Sequence, residues 1–136
     1  GVGAPSLQYV QAIDYQSGQV VVTPLRQLGL EYAEGEIDDG LDNNSNGLID
    51  ECRLVLIENL GMAEERRLVL TRWVSELFEG EQSNGADDNG NGLIDERGFH
   101  VERVGDTLFV RLILQRLDAQ GHLMTRTART SVELRN

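Results

Sequence analysis

Hydrophobic positions along this chain recur mostly with a period of two, the pattern of strands half-buried on a sheet. Residues 27–32 alternate and place Leu28, Leu30 and Tyr32 on one face. Residues 19–23 are β-branched, and Pro24, which cannot donate to a sheet ladder, stops them. Residues 52–60 set Leu54 and Leu56 opposite Val55 and Ile57. Residues 99–104 and 107–117 flank Gly105-Asp106, a dipeptide suited to a tight hairpin. A turn over 118–122 leads to a long threonine-rich strand over 123–134. Two segments are ambiguous. Residues 66–78 fit a strand, a bent strand or a short helix, and residues 7–13 fit a helix end or a strand. The pattern predicts one domain over residues 1–136, an antiparallel sheet with long loops.

Those loops carry an internal repeat. Asp42-Asn43-Asn44-Ser45-Asn46-Gly47-Leu48-Ile49-Asp50-Glu51 matches Asp87-Asp88-Asn89-Gly90-Asn91-Gly92-Leu93-Ile94-Asp95-Glu96 at an offset of 45, with two of ten positions different. Upstream, Gly40 matches Gly85, and Asp39 becomes Asn84. The intervening segments do not match, so the repeat marks two inserted loops, over 38–51 and 83–96, and no solenoid. Loops of this length without secondary structure need something to order them.

The side chains indicate what that is. Calcium takes six to eight oxygen ligands, and a short loop supplies them from alternate residues with a glycine at the sharp turn. Asp42, Asn44 and Asn46 followed by Gly47, and Asp87, Asn89 and Asn91 followed by Gly92, reproduce the first half of an EF-hand loop. Leu48 and Leu93 would offer backbone carbonyls, and Ile49 and Ile94 would point into the core. The distal glutamate position of an EF-hand holds Arg53 in one loop and Gly98 in the other. Asp50 with Glu51, and Asp95 with Glu96, are therefore expected to supply the missing carboxylate, with Asp38 or Asp39 adding to the first site. Two calcium ions are expected. Magnesium fits less well because it keeps more of its water. Asn, Asp and Gly also favour turns without any metal, which is the competing reading.

The charge balance agrees with a cation. The net charge is −11, from 23 acids and 12 bases, all of them arginine, and nine of the acids lie in the two loops. Such clusters repel themselves unless a cation sits among them. The same balance excludes nucleic acid as a partner, since phosphate binding needs a basic face. Cys52 is the single cysteine, so no intramolecular disulfide and no cysteine-based zinc site is available. His100 and His122 have no partner spacing that suggests a triad or zinc site. No catalytic residue and no organic cofactor is expected, and the chain is read as a non-enzyme. Met62 and Met124 are the only methionines, too few for the methionine-rich groove of a calcium sensor, which favours constitutive binding.

Three features resemble bacterial prepilin-like proteins, the minor pseudopilins of type II secretion and the minor pilins of type IV pili. They are Arg67-Leu68-Val69-Leu70 running into Trp73-Val74-Ser75-Glu76-Leu77-Phe78, the Gly98-Phe99 strand with its following hairpin, and the ending Thr130-Ser131-Val132-Glu133-Leu134-Arg135-Asn136. The resemblance covers about half the chain. It implies an α+β, mostly β, pilin-like head whose N-terminal helix is missing or truncated. It also implies an extracytoplasmic place (periplasm or cell surface), a full-length form anchored in the inner membrane through that helix, and neighbouring pseudopilin or pilin subunits as partners. The function expected is a structural calcium-binding subunit of a secretion or pilus apparatus. The alternative is a secreted calcium-dependent adhesion or scaffold module unrelated to pili.

Overall fold

The computed structural model describes residues 3–134; Gly1, Val2 and the closing Arg135-Asn136 of the terminal motif lie outside the described residues. Ten strands follow one another: β1 (Gly3–Ala4), β2 (Ser6–Tyr9), β3 (Ala12–Gln16), β4 (Gln19–Val22), β5 (Arg26–Tyr32), β6 (Cys52–Glu58), β7 (Arg66–Val74), β8 (Phe99–Val104), β9 (Thr107–Leu117) and β10 (Leu123–Glu133). Eight of them form one antiparallel sheet in the order β1-β8-β9-β7-β6-β5-β2, with β10 along β9. The hairpin β3–β4 is a separate two-stranded ribbon.

The sheet curls. β10 pairs with β9 over its whole length, 107–117, so β8 (at 107–112) and β7 (at Leu114) share the opposite edge of β9. β1 and β2 sit at the two far ends of the strand order and are separated only by Pro5, which brings those ends together. Alternation then directs one face of every strand inward. Cys52, Leu54, Val74, Phe99 and Val101 are buried there, with Leu7, Leu28, Leu30, Tyr32, Leu108, Val110, Leu112 and Leu114 packed around them. The predicted face of β5 is thus the core face. The opposite face buries Val55, Ile57 and Ile113.

Among the described residues there is no helix, so the expectation of an α+β pilin-like head is corrected to an all-β domain. Leu70, Trp73, Val74, Leu77 and Phe78 do recur at helical spacing, but the pairing of 66–74 with β6 and β9 makes that segment a strand, and the helical layer itself was implied by the family resemblance. Residues 7–13 are taken up by β2 and the start of β3, and residues 66–74 by β7. β7 is a bent strand: its ladder with β6 shifts register around Leu54, and Trp73 stands at φ 59°. A bulky side chain in the left-handed region is a strained position, held here by the pairing of Val74 with both Cys52 and Leu114.

Candidate metal loops

The two acidic loops occupy equivalent places, one linking β5 to β6 and the other β7 to β8. Their backbones repeat at the same offset as their sequences. The first loop closes where Ala33 N–H donates to Glu51 O (2.9 Å), and the second where Phe78 N–H donates to Glu96 O (2.7 Å). Positive φ recurs at Gly35 and Gly80, Gly40 and Gly85, Ser45 and Gly90, Gly47 and Gly92, and Asp50 and Asp95. Gly47 has a second reason to be glycine, because a Cβ there would lie 2.2 Å from a methyl of Leu117.

Each alternate side chain folds back on the loop. Asp42 accepts the N–H groups of Asn46 (3.1 Å) and Gly47 (2.8 Å), and Asp87 accepts those of Gly90, Asn91 and Gly92. Asn44 Oδ1 accepts from Asn46 N–H and Asn46 Oδ1 from Leu48 N–H. Asn89 and Asn91 do the same for Asn91 and Leu93. These bonds curl the backbone and leave the amide nitrogens of Asn44, Asn46 and Asn91 facing the centre of each loop.

At that centre stand Glu51 and Glu96. Glu51 is 1% exposed, and its Oε1 accepts both Asn44 Nδ2 (2.8 Å) and Asn46 Nδ2 (2.6 Å). Glu96 is buried and accepts Asn91 Nδ2. In both residues Oε2 is buried with no hydrogen-bond partner. Neither forms an ion pair with any described residue. A recess of about 130 Å³ lies beside the first centre, lined in part by Asn44, Asn46, Glu51, Arg72 and Trp73.

The remaining candidates stand around these centres. Asp50 and Asp95 strap the loop entrance, taking Asp39 and Gly40 N–H in one loop and Asn84 and Gly85 N–H in the other. Asp39 accepts from Leu41 N–H and Asn43 Nδ2 and so braces the first loop. The hydrophobic anchor is Leu48, which is buried, and Leu93 takes its place in the second loop. Ile49 and Ile94 are 58% and 62% exposed, because Asp50 and Asp95 at positive φ reverse the facing of the residue before them. Asp38 lies elsewhere: its carboxylate, with those of Asp50 and Glu76, falls within a 4.8 Å cluster, the one such acidic group among the described residues.

Glu36 and Glu81 join the site without having been singled out by the spacing. Both are buried. Glu36 accepts Asn44 N–H (2.8 Å), and its Oε2 is another buried, unpartnered oxygen. Glu81 accepts Asn89 N–H (3.0 Å) and Asp95 N–H (3.0 Å), tying the two ends of its loop together. They stand 45 residues apart, each after a glycine, so the repeat extends upstream to Gly35-Glu36 and Gly80-Glu81.

The bases of the loops are joined by a polar knot. Tyr32 OH donates to Glu76 (2.8 Å), Arg97 lies over the Tyr32 ring and reaches Glu76 (3.6 Å), and its guanidinium also touches Cys52 Sγ (3.8 Å). Burial pushes the Tyr32 phenol up to about 12 and the Cys52 thiol up to about 11. A thiol held protonated in this way is a poor nucleophile. His122 sits on the exposed turn after β9, 3.2 Å from Asp118.

His100 carries a pH prediction. It is 2% exposed, neither ring nitrogen has a partner, and it meets Phe78 edge to face at 5.8 Å. Burial, followed by the nearby Arg111 charge, lowers its pKa, against the opposing pull of Glu96 and Glu102. The folded state therefore disfavours the proton, while the unfolded chain takes it up near the ordinary value of about 6.5. Stability from this group is complete above that pH and is lost as pH falls through it. His100→Phe is expected to flatten the decline in melting temperature between about pH 7 and pH 5.5, measured in saturating calcium.

Comparison with known proteins returns no matching family model, no matching curated sequence and no matching solved structure.

Proposed function

We propose that this chain is a structural calcium-binding module in which two ions, one per loop, fix the connections between β5 and β6 and between β7 and β8. One observation carries the reading: buried carboxylates at the loop centres, with Glu51 Oε2 and Glu96 Oε2 unpartnered, Asn44 and Asn46 converging on the first and Asn91 on the second. A buried carboxylate without a compensating partner is costly, and no arginine supplies one here. The asparagine amide hydrogens occupy the position a cation would take. To face an ion with oxygen these side chains must give up the backbone N–H groups their Oδ1 atoms now accept, a cost that the bonds to the ion would offset. Asp42, Asn44, Asn46 and Glu51 would hold the first ion, and Asp87, Asn89, Asn91 and Glu96 the second, with Leu48 and Leu93 offering carbonyls. An all-oxygen set with several neutral ligands suits calcium at the modest affinity of extracellular modules. That supports an extracytoplasmic setting and an adhesive or scaffolding role.

The prepilin-like head is the second reading and shares the same calcium sites. It rests on the hairpin β8–β9 and the terminal motif, and the all-β fold withholds the helical layer that family implies. A Gly-Phe-x-x-x-Glu site with about 20 apolar residues encoded upstream would select it. The calcium reading is tested by calorimetric titration. The expected result is two equivalents bound per chain, one in Glu51→Gln, one in Glu96→Gln and none in the double variant. A folded wild-type chain that binds no calcium at millimolar concentration overturns it.

A further inference from the structure

Two apolar surfaces of this chain have no cover within it. The first is the ribbon β3–β4. Tyr15 and Val20 are register partners and share a face with Val22, two residues along β4, and Ile13 stands at the bulge between Ala12 and Asp14. These four side chains are 68%, 58%, 46% and 63% exposed. A two-stranded ribbon is marginal in isolation, and an uncovered apolar face of this kind marks an interaction surface.

The second is a groove of about 590 Å³ between β7 and β9–β10. The two strands pair only at Val74 and Leu114 and then part, because the left-handed turn at Trp73 carries β7 away. Positions that would pair next, Trp73 with Gln115 and Arg72 with Arg116, line opposite walls instead. Trp73 and Met124 are about half exposed there. β7 is paired on one side by β6, so its other edge over 66–73 offers unpaired backbone N–H and C=O groups. Arg72, Arg116 and Arg126 line the groove without an ion pair to any described residue, in a chain whose net charge is −11.

We propose that the ribbon β3–β4 of one copy docks in the β7–β9 groove of a second copy, so that the chain self-associates head to tail. The ribbon matches the groove in three ways. It presents strand backbone to a free strand edge, which is how extended segments add to sheets. It brings the face of Tyr15, Val20 and Val22 to Trp73, and its opposite face to the side of the groove where Leu114 and Met124 stand beside Arg116 and Arg126. Its only charged residue, Asp14, would meet the three arginines; N–H groups of Tyr15 and Gln16, each at 2.7 Å, hold that carboxylate ionised. No ribbon residue lines the groove of its own chain. The two surfaces differ, so the contact is heterologous and propagates into a ring or an open chain.

Sedimentation velocity across a wide concentration range tests this. The wild-type chain is expected to grow from monomer to dimer and larger species. The ribbon variant Ile13→Asp/Val20→Asp and the groove variant Met124→Glu/Arg126→Glu alter exposed positions, and each is expected to lose at least tenfold in self-association while keeping the wild-type circular dichroism. An equimolar mixture of the two variants has one intact ribbon and one intact groove per pair, so it is expected to form dimers and nothing larger. Asp14→Arg is expected to restore association to Arg126→Glu. A wild-type chain that stays monomeric, a ribbon variant that associates as the wild type does, or a mixture that stays monomeric overturns the proposal.

Discussion

Excess chelator is expected to lower the melting temperature of this protein by about 15 °C. At free calcium one hundred times the dissociation constant, each occupied site adds roughly 2.7 kcal/mol of stability, and two independent sites add about 5.4 kcal/mol. For a chain between the small and medium size classes, each kcal/mol moves the transition by about 3 °C. Glu51→Gln or Glu96→Gln should each remove about half of the calcium-dependent shift and leave the chelated protein almost unchanged, since the lost partner is the ion. The loops open first. Amide exchange without calcium should accelerate at Ala33 and Phe78, whose N–H groups close the loops on Glu51 and Glu96, before it does at Leu54 or Val101 in the core. A melting curve that is the same with and without chelator would sink the calcium reading at any affinity.

The legible parts of this sequence were those where local and global preferences coincide. Gly105-Asp106 fixes a hairpin between two alternating runs, and β8 and β9 begin and end where that pattern places them. Leu28, Leu30 and Tyr32 alternate in sequence and pack together against the core. The parts that escaped depend on long-range or unusual backbone. Nothing in the identity of Trp73 announces a left-handed residue; the tertiary pairing of Val74 imposes it. The same is true of Asp50 and Asp95, where a positive φ accompanies the exchange of the expected roles of Leu48 and Ile49. Glu36 and Glu81 were accessible in principle. The offset of 45 reaches them through Gly35 and Gly80, but the gap of mismatched residues before Gly40 and Gly85 hides the continuation. The local basis for helix, the apolar spacing within 66–78, lost to strand pairing with β6, and the helical layer itself came with a family resemblance carried by strand and tail motifs.

The second large effect is expected at Gly98. It lies two residues beyond Glu96, where the second loop returns to the sheet, and three backbone segments meet there. Gly98 N–H donates to Glu76 O (3.0 Å), Ile113 N–H donates to Gly98 O (2.7 Å), and Ser75 N–H donates to Ile113 O (2.9 Å). A Cβ on Gly98 would stand 1.8 Å from the backbone oxygen of Ser75 and 2.8 Å from its carbonyl carbon. A backbone oxygen cannot swing aside as a flexible side chain can, and the Ser75 N–H is tied to Ile113 O, so Gly98→Ala must push these segments apart. The expected cost is about 3 kcal/mol or more, at the upper end for overpacking. Gly92→Ala is the matched control: its φ of 90° strains an alanine, but nothing lies within 4 Å of the added carbon, so about 1 kcal/mol is expected. Urea unfolding in saturating calcium separates the two. Calcium titration adds a directional check, because Gly98→Ala should weaken the Glu96 site by tenfold or more and leave the Glu51 site as it was. If Gly98→Ala is no more destabilising than Gly92→Ala, the close approach of Ser75 is not a feature of the folded protein, and the second loop leaves the sheet by a different path.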